Sequence, residues 1–161
     1  MFARTKKRSQ KTMEYYGKDI LSSAHMRLGK KHMQHGSYSV YDHSILVTLV
    51  CLSIARLLHL KTDDRALTRG ALLHDYFLYD WHDPSPAHRL HGFTHAACAL
   101  RNARRDFSIN EKEENMILAH MFPLNLTVPR YRESILLCLS DKLCAVYETV
   151  QGKMPNNKKA A

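Results

Sequence analysis

A chain of 161 residues with 45% apolar content suits one domain with a real core, and no low-complexity tract or internal repeat divides it. The net charge of +9 belongs to the ends: residues 1–12 carry Arg4, Lys6, Lys7, Arg8 and Lys11, residues 151–161 carry Lys153, Lys158 and Lys159, and neither segment has an acid. Residues 13–150 are close to neutral, which argues against a nucleic-acid-binding face and leaves two basic tails, 1–12 and 151–161, around a domain at 13–150.

The N-terminus has no apolar segment of the secretory kind, and the longest apolar run, Ile45 to Ala55, is too short to cross a bilayer. Cys51, Cys98, Cys138 and Cys144 form no CxxC pair and sit among apolar residues. They read as reduced, buried thiols of a soluble, cytoplasmic protein without a membrane partner.

In chain order, residues 13–34 predict an amphipathic helix with Tyr15, Tyr16, Ile20, Leu21 and Leu28 on its apolar face. "HGSYSVYDHS" reads as a loop, with Asp42 capping a central helix from about His43 to Leu60. "KTDDRA" is a turn in which Asp63 or Asp64 caps a short helix ending near Asp75. Residues 76–90, with Pro84 and Pro86, form a loop; Asp80, His82, Asp83 and Arg89 there either line the mouth of a site or are simply solvated. Helices follow at about 91–106 and 110–120, the second opened by acids in "NEKEEN" and closed before Pro123. A last helix spans about 129–150, with Ile135, Leu136, Leu139, Leu143 and Val146 at helical spacing. Few breakers and long 3.6-residue periodicity make this an all-α, compact, single-domain helical bundle.

Histidine is over-represented, with 11 in the chain, and several polar residues interrupt apolar helices: His43, His74, Asp75, His95, His120 and Asp141. A histidine at a helix end is commonly there for the dipole, which would account for His74 or His120 alone. Asp75 at a helix C-terminus opposes that dipole, and Asp141 in "ILLCLSDKLCAVY" is a carboxylate inside an apolar helix. An unpaired buried carboxylate costs several kcal/mol, so a cation must neutralise it. A divalent metal shared by His43, His74, Asp75 and Asp141 does so. Imidazole and carboxylate donors suit Fe, Mn, Co, Ni or Zn, and adding His95 and His120 makes room for two ions.

The ordered set His43, "HD" at 74–75 and Asp141 in "SDK" resembles the HD superfamily of metal-dependent phosphohydrolases over about residues 38–150. That resemblance implies an all-α fold of five or more core helices. It implies a first ion on His43, His74, Asp75 and Asp141, with Asp75 bridging to a second. The second ion would take His120 and either His95 or its i+4 neighbour His91; His95, 25 residues before His120, is preferred on spacing, which leaves His91 to contact phosphate or support a ligand. The implied reaction is hydrolysis of a phosphate ester, of a nucleotide or another small molecule, by a metal-activated water. Asp75 would orient that water, and Lys142 or His91 would assist the leaving oxygen. A di-iron oxygenase and a non-catalytic metal- or nucleotide-binding regulatory module are the competing readings. The absence of a "GYP" motif speaks against a cyclic-dinucleotide substrate, and a homo-oligomer is compatible with the sequence.

Overall fold

The computed structural model describes residues 2–35, 38–79 and 91–153, with backbone alone at Phe2, His35, His91, Gly152 and Lys153. Its elements are α1 (Phe2–Tyr16), α2 (Lys18–Ser22), α3 (Ala24–Leu28), a 3-10 turn (Gly29–Lys31), β1 (Met33–His35), β2 (Tyr38–Ser39), α4 (Val40–Leu57), α5 (Asp64–Leu73), α6 (His91–Asp106), α7 (Glu111–Ala119) and α8 (Arg132–Lys153). The class is all-α. The small antiparallel β1–β2 hairpin, in the stretch expected as a helix end and loop, is the addition.

Helix α4 is the centre, contacting α1, α5 and α8. Val40, His43, Ser44, Val47, Thr48, Cys51, Leu52 and Ala55 form its buried face, at helical spacing. Ser39, not Asp42, is the N-cap, its side chain accepting from Asp42 N at 3.1 Å, and the helix therefore starts three residues earlier than expected. At 18 residues α4 is long and apolar enough to cross a bilayer, more so than the Ile45–Ala55 run suggested, and its apolarity here faces helices on several sides. Helix α5 is buried from Ala66 to Leu73 and begins at Asp63, whose carboxylate accepts from Ala66 N at 3.0 Å. Helix α7 opens with a reciprocal capping box between Asn110 and Glu113. The buried Arg69 of α5 donates to Asp19 of α2 at 2.7 Å, tying those elements together.

Two expectations fail at the N-terminus. The basic segment 1–12 is not a tail: α1 starts at Phe2 and packs on α4 and α5, with Ser9 fully buried against Ser53 at 3.1 Å between hydroxyls. Its residues are good helix formers, and Arg56 of α4 binds it through Thr12 at 2.8 Å. Nor is 13–34 one helix. A Cβ on Gly17 would sit 2.4 Å from Leu72 Cδ1 and 2.8 Å from Met13 O, so the chain breaks at the one residue that lets it approach α5 so closely. With the break, Tyr15 turns out to solvent while Ile20 remains core. At the other end, α8 carries residues 151–153, and residues 154–161 lie outside the described residues.

Asp106, at the end of α6, accepts from Tyr76 Oη at 2.9 Å and pairs with His25 Nδ1 of α3 at 2.8 Å. Arg105 beside it holds its carboxyl well below the usual carboxylate range, against the opposing effect of burial. A depressed carboxylate gives its full stability above the unfolded value of about 3.9 and loses it only as pH falls on through the lower folded value. Asp106→Asn is expected to cost about 1 kcal/mol at pH 7, the modest figure reflecting that Arg105 stands in water. In urea melts the gap to wild type should begin to narrow below about pH 4 and should still be open at about pH 3.

Candidate metal centre

The "HD" dipeptide sits where α5 ends. His74 is the C-cap, and its Nδ1 lies 2.8 Å from the carbonyl of Ala71. A carbonyl only accepts, so Nδ1 carries the proton and Nε2 presents a lone pair. The same device recurs at the end of α7: His120 is the C-cap and its Nδ1 donates to Ile117 O at 2.7 Å. Closing a helix end and presenting a ligand are thus one act, because the main-chain bond that satisfies the helix also selects the tautomer.

His43, on the second turn of α4, is held from both sides. Its Nδ1 is 2.8 Å from Glu148 Oε2 and its Nε2 is 3.1 Å from Asp141 Oδ1, both acids coming from α8. His74 Nε2 lies 3.6 Å from the same Asp141 oxygen. His43, His74 and Asp141 form one buried group that could hold a metal ion. Asp75, His95 and His120 form a second, in which the Nε2 atoms of His95 and His120 stand 2.8 Å apart.

Asp75 joins the two groups. Its Oδ2 lies 3.5 Å from His74 Nε2 and 3.8 Å from His43 Nε2, while its Oδ1 lies 3.4 Å from His95 Nε2 and 3.5 Å from His120 Nε2. One carboxylate oxygen is offered to each triad, as a bridging ligand requires. All six side chains are buried, and His74 Nε2 and Asp75 Oδ1 have no hydrogen-bond partner. Two orphaned ligand atoms within a set of six side chains converging from five helices fit a resident divalent cation.

The electrostatics agree. Burial opposes ionisation of Asp75, yet His74, His120 and His95 around it hold its carboxyl well below the usual range. Asp141 is likewise depressed against its burial, by His43 and His74. Burial disfavours charge on His43, but hydrogen bonds to Asp141 and Glu148 outweigh it and raise that imidazole to about 10. His74 is raised too, burial again opposing and Asp75 and Asp141 prevailing. Protons here neutralise carboxylates much as a metal would, and a cation entering the site must displace them.

The centre opens into a cleft of about 380 Å³ whose floor includes Asp75, His95, His120 and Asp141 and whose wall is Met121, Pro123, Leu124 and Ala145. Lys142 is on this cleft, but its ammonium donates to His120 O at 3.0 Å, Cys138 O at 3.3 Å and Cys138 Sγ at 3.1 Å. It braces the turn carrying His120 instead of pointing at a reacting group. The side chain of His91 lies outside the described residues, as do Asp80, His82, Asp83 and Arg89.

Two residues escape the sequence reading. Gln34, on β1, donates through Nε2 to Asp75 Oδ2 at 2.6 Å, a contact made by a hairpin that carries no local signal of it. Glu148 is fully buried behind His43, and here a signal existed: it lies two turns after Asp141, on the same face of α8.

The HD domain family model matches residues 40–146, which contain all six clustered side chains. No curated protein and no solved structure matches the chain. With well over half of its length matched, and with the family's histidine and aspartate residues drawn together in one buried centre, the chain belongs to the HD domain family.

Proposed function

We propose that this protein is a metal-dependent phosphohydrolase acting on a phosphate ester of a nucleotide or another small molecule. The observation that carries the reading is Asp75 presenting one oxygen to each of two adjoining triads at the floor of an open cleft. Divalent ions held by His43, His74, Asp75 and Asp141, and by Asp75, His95 and His120, would supply a water of lowered pKa and positive charge for the phosphoryl oxygens. Asp75 orients the attacking water, lying between the groups with an oxygen toward each. His74 and His120 hold neutral imidazoles in place through their main-chain bonds, so neither reorganises during reaction. The apolar wall at Met121, Pro123 and Leu124 receives the non-phosphate part of the substrate and keeps bulk water from it.

The test is phosphate release by the purified chain, loaded in turn with Mn, Fe, Co, Ni or Zn, from a panel of nucleotides and other phosphate monoesters. Metal-dependent release is expected, and His74→Ala should lower it about 1,000-fold, the worth of several kcal/mol of charge stabilisation. Activity that survives His74→Ala would overturn the assignment. A second reading draws on the donor chemistry: each triad is two imidazoles and one carboxylate, a set that also suits ferrous oxygen chemistry. Oxygen consumption by the iron-loaded protein without phosphate release would favour a di-iron oxygenase, and two bound ions with neither activity a regulatory module.

A further inference from the structure

Helix α8 has two faces of unlike composition. Ser134, Leu137, Asp141, Cys144 and Glu148 face the core and the metal centre. On the other side Ile135 (49% exposed), Leu139 (57%), Leu143 (60%), Val146 (65%), Tyr147 (50%) and Val150 (53%) stand about half or more in water. At 100° per residue these six fall within one arc about 120° wide, which also holds the buried Leu136 and, at the helix start, the exposed Arg132. Lys142, at its edge, is drawn off to the main chain at His120 and Cys138. Beside the stripe runs an apolar groove of about 300 Å³ between α4 and α8, lined by Leu46, Val50, Leu143, Cys144 and Tyr147.

We propose that this face is the contact between two copies of the chain. Each of the six side chains exposes on the order of 100 Å², so a two-fold pair buries roughly 1,200 Å² from α8 alone, the lower bound of stable interfaces, before the groove adds to it. A monomer seldom leaves so long an apolar stripe uncovered. A ridge lying beside a groove is also self-complementary: a two-fold axis across α8 lays each copy's ridge toward the other's groove. A lipid surface suits the face less well, because the opposite side of α8 is packed in the core and the helix cannot sink among headgroups as a free amphipathic helix does. Residues 154–161, "MPNNKKAA", offer a single large apolar side chain and too little surface to cover the stripe.

Sedimentation of the full chain from 1 to 100 µM tests this. Wild type is expected at twice the 18.6 kDa chain mass over most of that range. Leu143→Glu should weaken association at least 100-fold, leaving a monomer with unchanged helical circular dichroism and unchanged metal content. Leu139→Lys, further along the stripe, repeats the test should Leu143→Glu fail to fold. Leu143→Glu and Leu143→Lys chains, each monomeric alone, should pair when mixed, which a merely structural role would not produce. A wild type that is monomeric at 100 µM, or a Leu143→Glu chain that still pairs, overturns the proposal. So does a monomer that instead cosediments with anionic phospholipid vesicles through the same stripe.

Discussion

Asp75→Ala protein, loaded with a divalent metal and desalted, should retain neither ion, whereas His95→Ala and His120→Ala should each retain one. The asymmetry follows from position. Removing His95 or His120 strips one donor from the second triad and leaves His43, His74, Asp75 and Asp141 intact. Removing Asp75 takes a donor from both triads at once, and it takes the negative charge that lies within 3.8 Å of four imidazoles. Asp141 would then be the single carboxylate among the five remaining ligands, too little anionic charge for two dications in a buried site. Metal content per chain by inductively coupled plasma mass spectrometry reads the outcome directly, and turnover should fall about 1,000-fold alongside it. His91→Ala separates the two candidate imidazoles on α6: two ions retained there, with one in His95→Ala, assigns the second ion to His95. Two ions on Asp75→Ala would mean that the carboxylate does not bridge.

The residues at the site were easier to read than the surfaces around them. Histidine and aspartate stand out in apolar helices because they are costly there, and that cost is visible without coordinates. Helix α8 shows the limit of hydropathy: Asp141 is buried, but not on the side that the apolar spacing marks. Of Ile135, Leu136, Leu139, Leu143 and Val146, which share helical spacing, only Leu136 is buried; the other four are exposed and Asp141 is buried nearly opposite them. The helix's inner face sets Ser134, Ser140, Asp141 and Glu148 among Leu136, Leu137, Cys138 and Cys144 because it encloses a polar centre, so hydropathy marks the outer side as the more apolar. A stripe turned toward another chain and a stripe turned toward the core have the same pattern. Arg4, Lys6, Lys7 and Arg8 make the start of α1 look solvated, while Ser9, Thr12 and the buried Met13 seat it on the core. Gln34 was invisible because strand pairing, not local sequence, carries it to Asp75.

Glu148 should prove nearly as important as the ligands although it is placed to touch no metal. Its Oε2 lies 2.8 Å from His43 Nδ1, it is fully buried, and its other oxygen has no hydrogen-bond partner. Behind His43 it fixes which nitrogen faces Asp141, as the carbonyls of Ala71 and Ile117 do for His74 and His120, but with a full charge. Glu148→Ala leaves the Nδ1 proton unpaired beside a cavity. It is expected to weaken metal binding about 10–100-fold by calorimetry and to cost about 3–5 kcal/mol in unfolding of the metal-stripped chain. Glu148→Gln keeps an acceptor of the same shape, so it should recover most of the metal affinity while losing the ionic part of the pair. The sign of the pH dependence then follows. His43 is raised to about 10 in the fold, from an ordinary value near 6.5, and a raised imidazole contributes its full stability below the unfolded value and loses it as pH climbs through the folded one. The metal-stripped wild type should therefore exceed Glu148→Gln most at pH 6, and the gap should narrow steadily toward pH 10. A gap that stays constant over that range would mean that Glu148 serves only to fill space, and its removal would then leave metal affinity unchanged once the cavity was filled by Gln or Met.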